Sequence, residues 1–379
     1  MISLREYATR WYRMKYYASR RVLYCQIHLT ERCQYRCSHC YFAELGNAAS
    51  EFAEDDLVRA LGDWSAFAKS LGMFVRVDFT GGDPFLYSSL ERIFSVCREL
   101  GLVFGLKCNP DHLISIGETV LARQLQGCDS ISLSLDGPPE FHNKLRHKEG
   151  AFEGVLEAAR VVNKLGMRLR ISTTVSLQNK SMVVPILKLL QNEMINIDAY
   201  TFARYWSEEN SHDVLRGNDL VDIFDLCSDF LIQYLAEPSS YASTEKRKAG
   251  IPRISFAFKE HLWFPYLANR GLLDNSFVES AIQSNNCLNC SALRPTVVVD
   301  ADGSMYKCRK IPESRIAHFD ECHKFDIERT AVFRSVSCLS CMFKNVCFGC
   351  PAVDGALGRT ESACPLFSDH RNAVNHINP

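Results

Sequence analysis

The chain has 379 residues, 47% hydrophobic and 23% charged, the balance of a folded protein of about two or three domain-lengths. Its 43 basic and 44 acidic side chains leave a formal charge of -1, so no global field recruits an anionic membrane or polymeric nucleic acid, and neither is an expected partner. No apolar run approaches the roughly 18 residues of a bilayer span and no secretory h-region opens the chain, which predicts a cytoplasmic protein.

Residues 1–21 are locally basic: Arg5, Arg10, Arg13, Lys15, Arg20 and Arg21 face one acid, Glu6, among Tyr7, Trp11, Tyr12, Tyr16 and Tyr17. Two readings stand. The favoured one is a helix resting its aromatic stems on the main body; the other is a docking surface for an acidic peptide or partner.

From 22 to 206, β-rich runs alternate with helical periodicity, the signature of βα units and a parallel sheet. Strands are predicted at 24–29, 74–80, 103–107, 130–135, 168–175 and 196–202, and helices at 55–71, 89–100, 117–126, 151–165 and 182–193. Six strands are too few to close an eightfold barrel. The expected fold class is α/β, a partial (β/α)6 TIM-like barrel with ligands at the carboxyl ends of its strands. Residues 207–281 read as a helical connector around a polar stretch at 238–250, without evident chemistry. Beyond 282 the composition shifts, since nine of the seventeen cysteines lie between Cys287 and Cys364. This predicts a second, loop-rich domain at 282–379 with one hairpin, 296–299 and 305–307 around an Asp302-Gly303 turn. Seventeen cysteines in a chain of this length fall well below the ~8–10% of small disulfide scaffolds, and in a reducing compartment clustered cysteines point to metal.

The first cluster, "ERCQYRCSHCYF" at 31–42, places Cys33, Cys37 and Cys40 directly after the first strand. Three thiolates on one loop can hold three irons of a [4Fe-4S] cluster and leave the fourth open, as catalytic metal sites keep one position free. The alternative is a zinc site completed by His39 or His28. Cys33, Cys37 and Cys40 resemble the CxxxCxxC loop of radical S-adenosylmethionine (SAM) enzymes, with His39 where that family usually has Tyr or Phe. The resemblance implies that the amino and carboxylate groups of SAM chelate the open iron.

Other segments extend the resemblance. "TGGDP" at 80–84 looks like the family's GGE motif with Asp83 for Glu; Gly81 and Gly82 let backbone approach a small ligand, and exposed carbonyls with Asp83 suit an ammonium group. "SLDGPPEFHNKLR" at 134–146 resembles the segment that sets Ser134 and Arg146 on the methionine carboxylate, which a guanidinium fork matches. Asn109 in "KCNP" is a further SAM contact by the same resemblance.

In the C-terminal region, Cys290, Gly303, Cys308, Cys338-x2-Cys341-x5-Cys347-x2-Cys350 and Cys364 resemble the SPASM extension of radical SAM enzymes, with two rather than the commoner three residues before Cys350. The implied ligand sets are Cys287, Cys290, Cys308 and Cys350 for one auxiliary [4Fe-4S] cluster, and Cys338, Cys341, Cys347 and Cys364 for a second. That makes three clusters per chain. The alternative is two structural zincs, because four-cysteine zinc and iron-sulfur sites share ligands.

The family chemistry implied is reductive cleavage of SAM by an external reductant through the open cluster, giving a 5'-deoxyadenosyl radical that abstracts a substrate hydrogen. SPASM relatives mostly modify peptides, so a peptide maturase is expected, acting on a precursor peptide by crosslinking, epimerisation or backbone excision. The alternatives are a SPASM-type small-molecule dehydrogenase, an anaerobic sulfatase maturase and a zinc-bearing peptide-binding module without turnover. The sulfatase reading is disfavoured because Arg309 follows Cys308 where those relatives carry an acid. Only 32 residues precede Cys33, short of a winged-helix leader-binding domain, so a separate leader-recognition protein is expected. Arg204, Tyr205, Trp206, Lys307 and Arg309 are candidates for the substrate entrance.

Overall fold

The computed structural model describes residues 2–18, 21–40, 50–207, 210–215, 217–284, 296–308, 314–318, 342–343 and 346–347. Its strands are β1 (Val22–Thr30), β2 (Phe74–Gly81), β3 (Val103–Lys107), β4 (Cys128–Ser134), β5 (Arg168–Val175), β6 (Ile197–Arg204), β7 (Ile254–Phe256), β8 (Thr296–Val299), β9 (Ser304–Tyr306) and β10 (Arg315–His318). They form one sheet in the order β10-β9-β8-β1-β2-β3-β4-β5-β6-β7. From β1 to β7 each strand pairs in parallel with the next, with helices in the crossovers as parallel strands require.

Two features differ from the expected six strands and a separate cysteine-rich unit. The stretch read as connector contains β7, which pairs with β6 through Ile197 opposite Ile254 and Tyr200 opposite Phe256. Three residues are too few to display an alternation, so only the hydrogen bonds to β6 define this strand. The hairpin forms at its predicted place, with Val298 opposite Tyr306 and Gly303 at φ +84° in the turn. Its first strand also pairs in parallel with β1, Tyr24 opposite Thr296, so the hairpin extends the barrel sheet past β1.

The alternation of the strands sorts two environments. Leu23, Cys25, Ile27 and Leu29 of β1, Val75, Val77 and Phe79 of β2, and Ile131 and Leu133 of β4 are buried in one apolar core with helix residues such as Leu57, Trp64, Ile93 and Phe94. The intervening positions, Tyr24, Gln26, Arg76, Asp78, Lys107, Ser132 and Ser172, are polar and face the lumen. The helix Glu54–Ser70 shows why such segments fold as they do. Glu54, Asp55 and Asp56 occupy its first turn and Lys69 its last, which suits the helix dipole, while Leu57, Ala60, Leu61, Trp64 and Ala68 form the buried stripe.

The N-terminal helix, Leu4–Ala18, rests its aromatic stems on this body. Tyr7 and Tyr12 are buried; Tyr7 Oη donates to the Phe256 carbonyl at 3.2 Å, and the Tyr12 ring meets Phe264 edge-on with centroids 5.1 Å apart. Arg13 pairs with Asp274 at 3.5 Å. No helix among the described residues is long and apolar enough to cross a membrane.

Candidate active site

The loop leaving β1 is held from two sides. At the end of β2, the Gly82 N–H donates to the Thr30 carbonyl at 2.7 Å and the Asp83 N–H to the Arg32 carbonyl at 2.8 Å. A Cβ on Gly81 would fall 2.2 Å from Thr30 O, and one on Gly82 2.1 Å from Arg32 O. The two glycines therefore serve a close approach of β2 to the cysteine loop itself. From the other side, the Ser38 N–H donates to the Leu145 carbonyl at 2.9 Å, tying the loop to the helix Pro139–Arg146. That helix starts with Pro139 in its first turn, where a missing N–H costs nothing.

Between these supports lies a cavity of about 860 Å³ at the carboxyl ends of the strands, and Cys33, Cys37 and Cys40 all line it. Thr80, Gly81, Gly82, Asn109, Ser134 and Arg146 share its wall. Asn109 Nδ2 donates to Cys33 Sγ at 3.3 Å and Arg146 Nη1 to Cys37 Sγ at 3.7 Å. Burial raises the Cys33 and Cys37 thiols above their ordinary range, while the Arg146 charge pulls Cys37 the other way. His39 is buried, which lowers its pKa to about 4 and keeps the ring neutral.

Two expected SAM contacts have protein partners of their own. Asp83 is fully buried behind the wall, where it accepts from Gln34 Nε2 at 2.6 Å and from the Phe85 N–H at 3.2 Å. Arg146 lays its guanidinium on Asp136, with Nε 2.9 Å from Oδ2. Asp136 also accepts from the Thr174 N–H at 2.8 Å, so a buried ion pair anchored to β5 aims Arg146 at Cys37. Burial alone would raise the Asp136 carboxyl; the charge of Arg146 above all holds it below its usual value. Sequence reasoning did not single out Asp136 or His142, although both stand in the quoted segment "SLDGPPEFHNKLR". It also passed over Gln34, Gln26 and Lys107.

The entrance candidates divide. Tyr205 lines a second cavity of about 300 Å³ that shares His39 and Thr174 with the first. Arg204 is buried and pairs with Glu260 at 2.8 Å. Lys307 is buried just ahead of Cys308. Arg309, Cys287, Cys290, Cys338, Cys341, Cys350 and Cys364 lie outside the described residues. Cys308 and Cys347 lie within the described residues, and the Cys308 N–H donates to Ser314 Oγ at 3.1 Å.

The family profile for the Radical SAM superfamily matches residues 27–190, from within β1 into the helix Val183–Asn192. Residues 27–190 are a radical SAM domain. Structures of similar fold include Streptococcus suis SuiB bound to S-adenosylmethionine, 18% identical with a TM-score of 0.63, matched over 88% of this chain and 74% of that one. Another is anSMEcpe with bound AdoMet, 18% identical with a TM-score of 0.60, over 86% and 88% of the two chains. Among curated relatives, an Fe-coproporphyrin III synthase of Methanosarcina barkeri is 25% identical over 44% of this chain and 40% of its own length. An AdoMet-dependent heme synthase of Oleidesulfovibrio alaskensis is 31% identical over 30% and 29%. The chain thus matches less than half the length of these two relatives.

A radical SAM enzyme uses a [4Fe-4S] cluster and S-adenosylmethionine, and the donor set here fits that pair. Three thiols on one loop line one cavity, with neutral and cationic donors, Asn109 and Arg146, facing two of the sulfurs. Among the described residues no three Cys, His, Asp or Glu groups close on a single ion; a cubane takes one thiolate per iron, so its ligands need no such convergence. Cys33, Cys37 and Cys40 would hold the cluster. Thr80, Gly81, Gly82 and Ser134 stand on the wall available to SAM.

Proposed function

We propose that this radical SAM enzyme is a peptide maturase that abstracts a hydrogen from a precursor peptide and carries auxiliary clusters in its cysteine-rich segment. The observation that carries the reading is the hairpin β8–β9 joined to β1. It ties the start of the cysteine-rich segment to the sheet edge at β1, so that Cys308, two residues past β9, follows a strand of the same sheet. Likeness to SuiB, solved also with its precursor peptide SuiA, covers 90% of this chain, whereas the coproporphyrin and heme synthases match 44% and 30% of it. When bound, the cluster supplies the electron that cleaves SAM. The chain's own residues orient: Asn109 donates to Cys33 Sγ and Arg146 to Cys37 Sγ, and Asp136 fixes Arg146.

The proposed auxiliary ligands are Cys287, Cys290, Cys308 and Cys350, then Cys338, Cys341, Cys347 and Cys364. A second reading, a tetrapyrrole substrate, is favoured by the higher identity to the coproporphyrin and heme synthases. Anaerobic incubation with SAM, a reductant and either candidate precursor peptides or coproporphyrin III, followed by mass spectrometry, separates the two. A peptide that loses hydrogens or a fragment supports the maturase; turnover of the porphyrin alone overturns it. Iron near about 12 per chain supports three [4Fe-4S] clusters, and about 4 removes the auxiliary pair.

A further inference from the structure

Below the cysteine wall, the lumen carries more positive charge than it neutralises. Asp78 on β2 is 2% exposed, and its carboxylate takes Tyr24 Oη at 2.7 Å, Arg170 Nη1 at 3.0 Å and Arg76 Nη2 at 3.2 Å. Arg76 reaches Asp129 as well, at 2.8 Å, and Asp129 is shared again with Arg168. Lys259, following β7, keeps a wetted side chain yet lies deep among protein atoms; this burial, then the charges of Arg170 and Lys107, brings its ammonium down to about 8. Among the described residues, Asp78 and Asp129 are thus set against Arg76, Lys107, Arg170 and Lys259 as well as Arg168. Cations gathered in a lumen cost free energy unless an anion joins them.

Lys107 is the member of this group that reaches the cavity. It ends β3 and lines the floor together with Ser132 and Ser172, and Ser132 is its register partner on β4. Its Nζ donates to Gln26 Oε1 at 2.8 Å. An ammonium has three donors, and this acceptor is a neutral amide.

We propose that Lys107, with the hydroxyls of Ser132 and Ser172, seats a carboxylate of the substrate on the cavity floor. The proposal rests on the reading that this cavity receives the substrate. A carboxylate fits better than a phosphate. The guanidinium forks that match phosphate best are turned to Asp78 and Asp129, and a single ammonium meets the ligand. An acidic peptide side chain and a tetrapyrrole propionate both present this group.

The probe is glutarate, titrated calorimetrically into the full chain, reconstituted anaerobically and saturated with SAM without reductant. Glutarate binds, Lys107→Met weakens it by about tenfold, as loss of one charged hydrogen-bond donor does, and Ser132→Ala weakens it less. Lys164→Met on the outer surface, where Lys164 pairs with Glu118 at 2.6 Å, leaves binding unchanged. If the Met variant fails to fold, Lys107→Gln is read in the same way. No glutarate binding, equal binding by Lys107→Met, or tighter binding of inorganic phosphate overturns the proposal. The affinity of the reconstituted Lys107→Met protein for SAM is titrated in parallel; a weakening as large as that for glutarate would assign Lys107 to SAM and overturn the substrate role. Acetyl-Gly-Glu-Gly-amide and coproporphyrin III then compete with bound glutarate. Displacement by either supports the carboxylate seat, and displacement by the porphyrin alone removes the peptide reading while the seat stands. Displacement by neither overturns the seat.

Discussion

Gly82→Ala tests whether the glycine pair supports the cysteine loop or merely leaves room for a ligand. A Cβ there would lie 2.1 Å from Arg32 O, 2.6 Å from Arg32 C and 2.7 Å from Glu31 O. All three are backbone atoms that no rotamer change can move. The backbone of Gly82 is not in the left-handed region, so the cost comes from the clash alone. Relief requires the end of β2 to part from the cysteine loop, which breaks the Gly82–Thr30 and Asp83–Arg32 hydrogen bonds. Overpacking costs ~1–3 kcal/mol and each lost hydrogen bond ~1 kcal/mol, for a sum of about 3–5 kcal/mol. The assay is the urea midpoint of the anaerobically prepared protein, read beside iron per chain after reconstitution. Gly82→Ala should lower both. Gly117→Ala, with nothing within 4 Å of the new Cβ, should stay within about 0.5 kcal/mol. A Gly82→Ala protein with wild-type midpoint and full iron would refute the argument, and would leave ligand approach as the reason for the glycine.

Three further outcomes are expected. Asp136→Asn leaves the Arg146 guanidinium, 9% exposed, without its counter-charge and should cost ~3–5 kcal/mol in urea denaturation; Asp136→Asn combined with Arg146→Met should recover part of that loss, and no recovery would sink the ion-pair account. Burial would raise the Asp78 carboxyl, but the charges of Lys107, Arg170 and Arg76 hold it far below the usual carboxylate range. A depressed carboxylate contributes stability that is present above its unfolded pKa and lost as pH falls toward the folded one. Urea midpoints should therefore fall below about pH 4, and Asp78→Asn should flatten that acid limb; an unchanged slope would count against it. Tyr12→Ala, which empties a fully buried site against Phe258 and Phe264, should cost ~3–5 kcal/mol and speed tryptic cleavage of the basic N-terminal helix. Equal midpoints and cleavage rates would mean that the helix is not anchored by this ring.

The sequence by itself determined whatever depends on near neighbours. The grouping of Cys33, Cys37 and Cys40 on one loop was legible because it is written in spacing, and the β1–β6 alternation because a strand shows both faces within a few residues. Asp302-Gly303 likewise announced the β8–β9 turn, since a short hairpin loop needs a residue that accepts positive φ, here Gly303. Tertiary structure decided what stands across each gap. "TGGDP" reads equally well as a cradle for a ligand or for backbone, and only the return of β2 against the β1 exit puts Arg32 O where a Cβ would be. Arg146 announces a fork without saying which carboxylate it takes; the helix Pro139–Arg146 folds back over the end of β4 and gives it Asp136. β7 is too short to carry a period, and its pairing with β6 exists only once the chain has travelled through the helices between them. The lumen charges belong to the same class. Arg76, Lys107 and Arg170 sit on three strands far apart in sequence, where each alone reads as an ordinary polar position, and curvature of the sheet makes them neighbours.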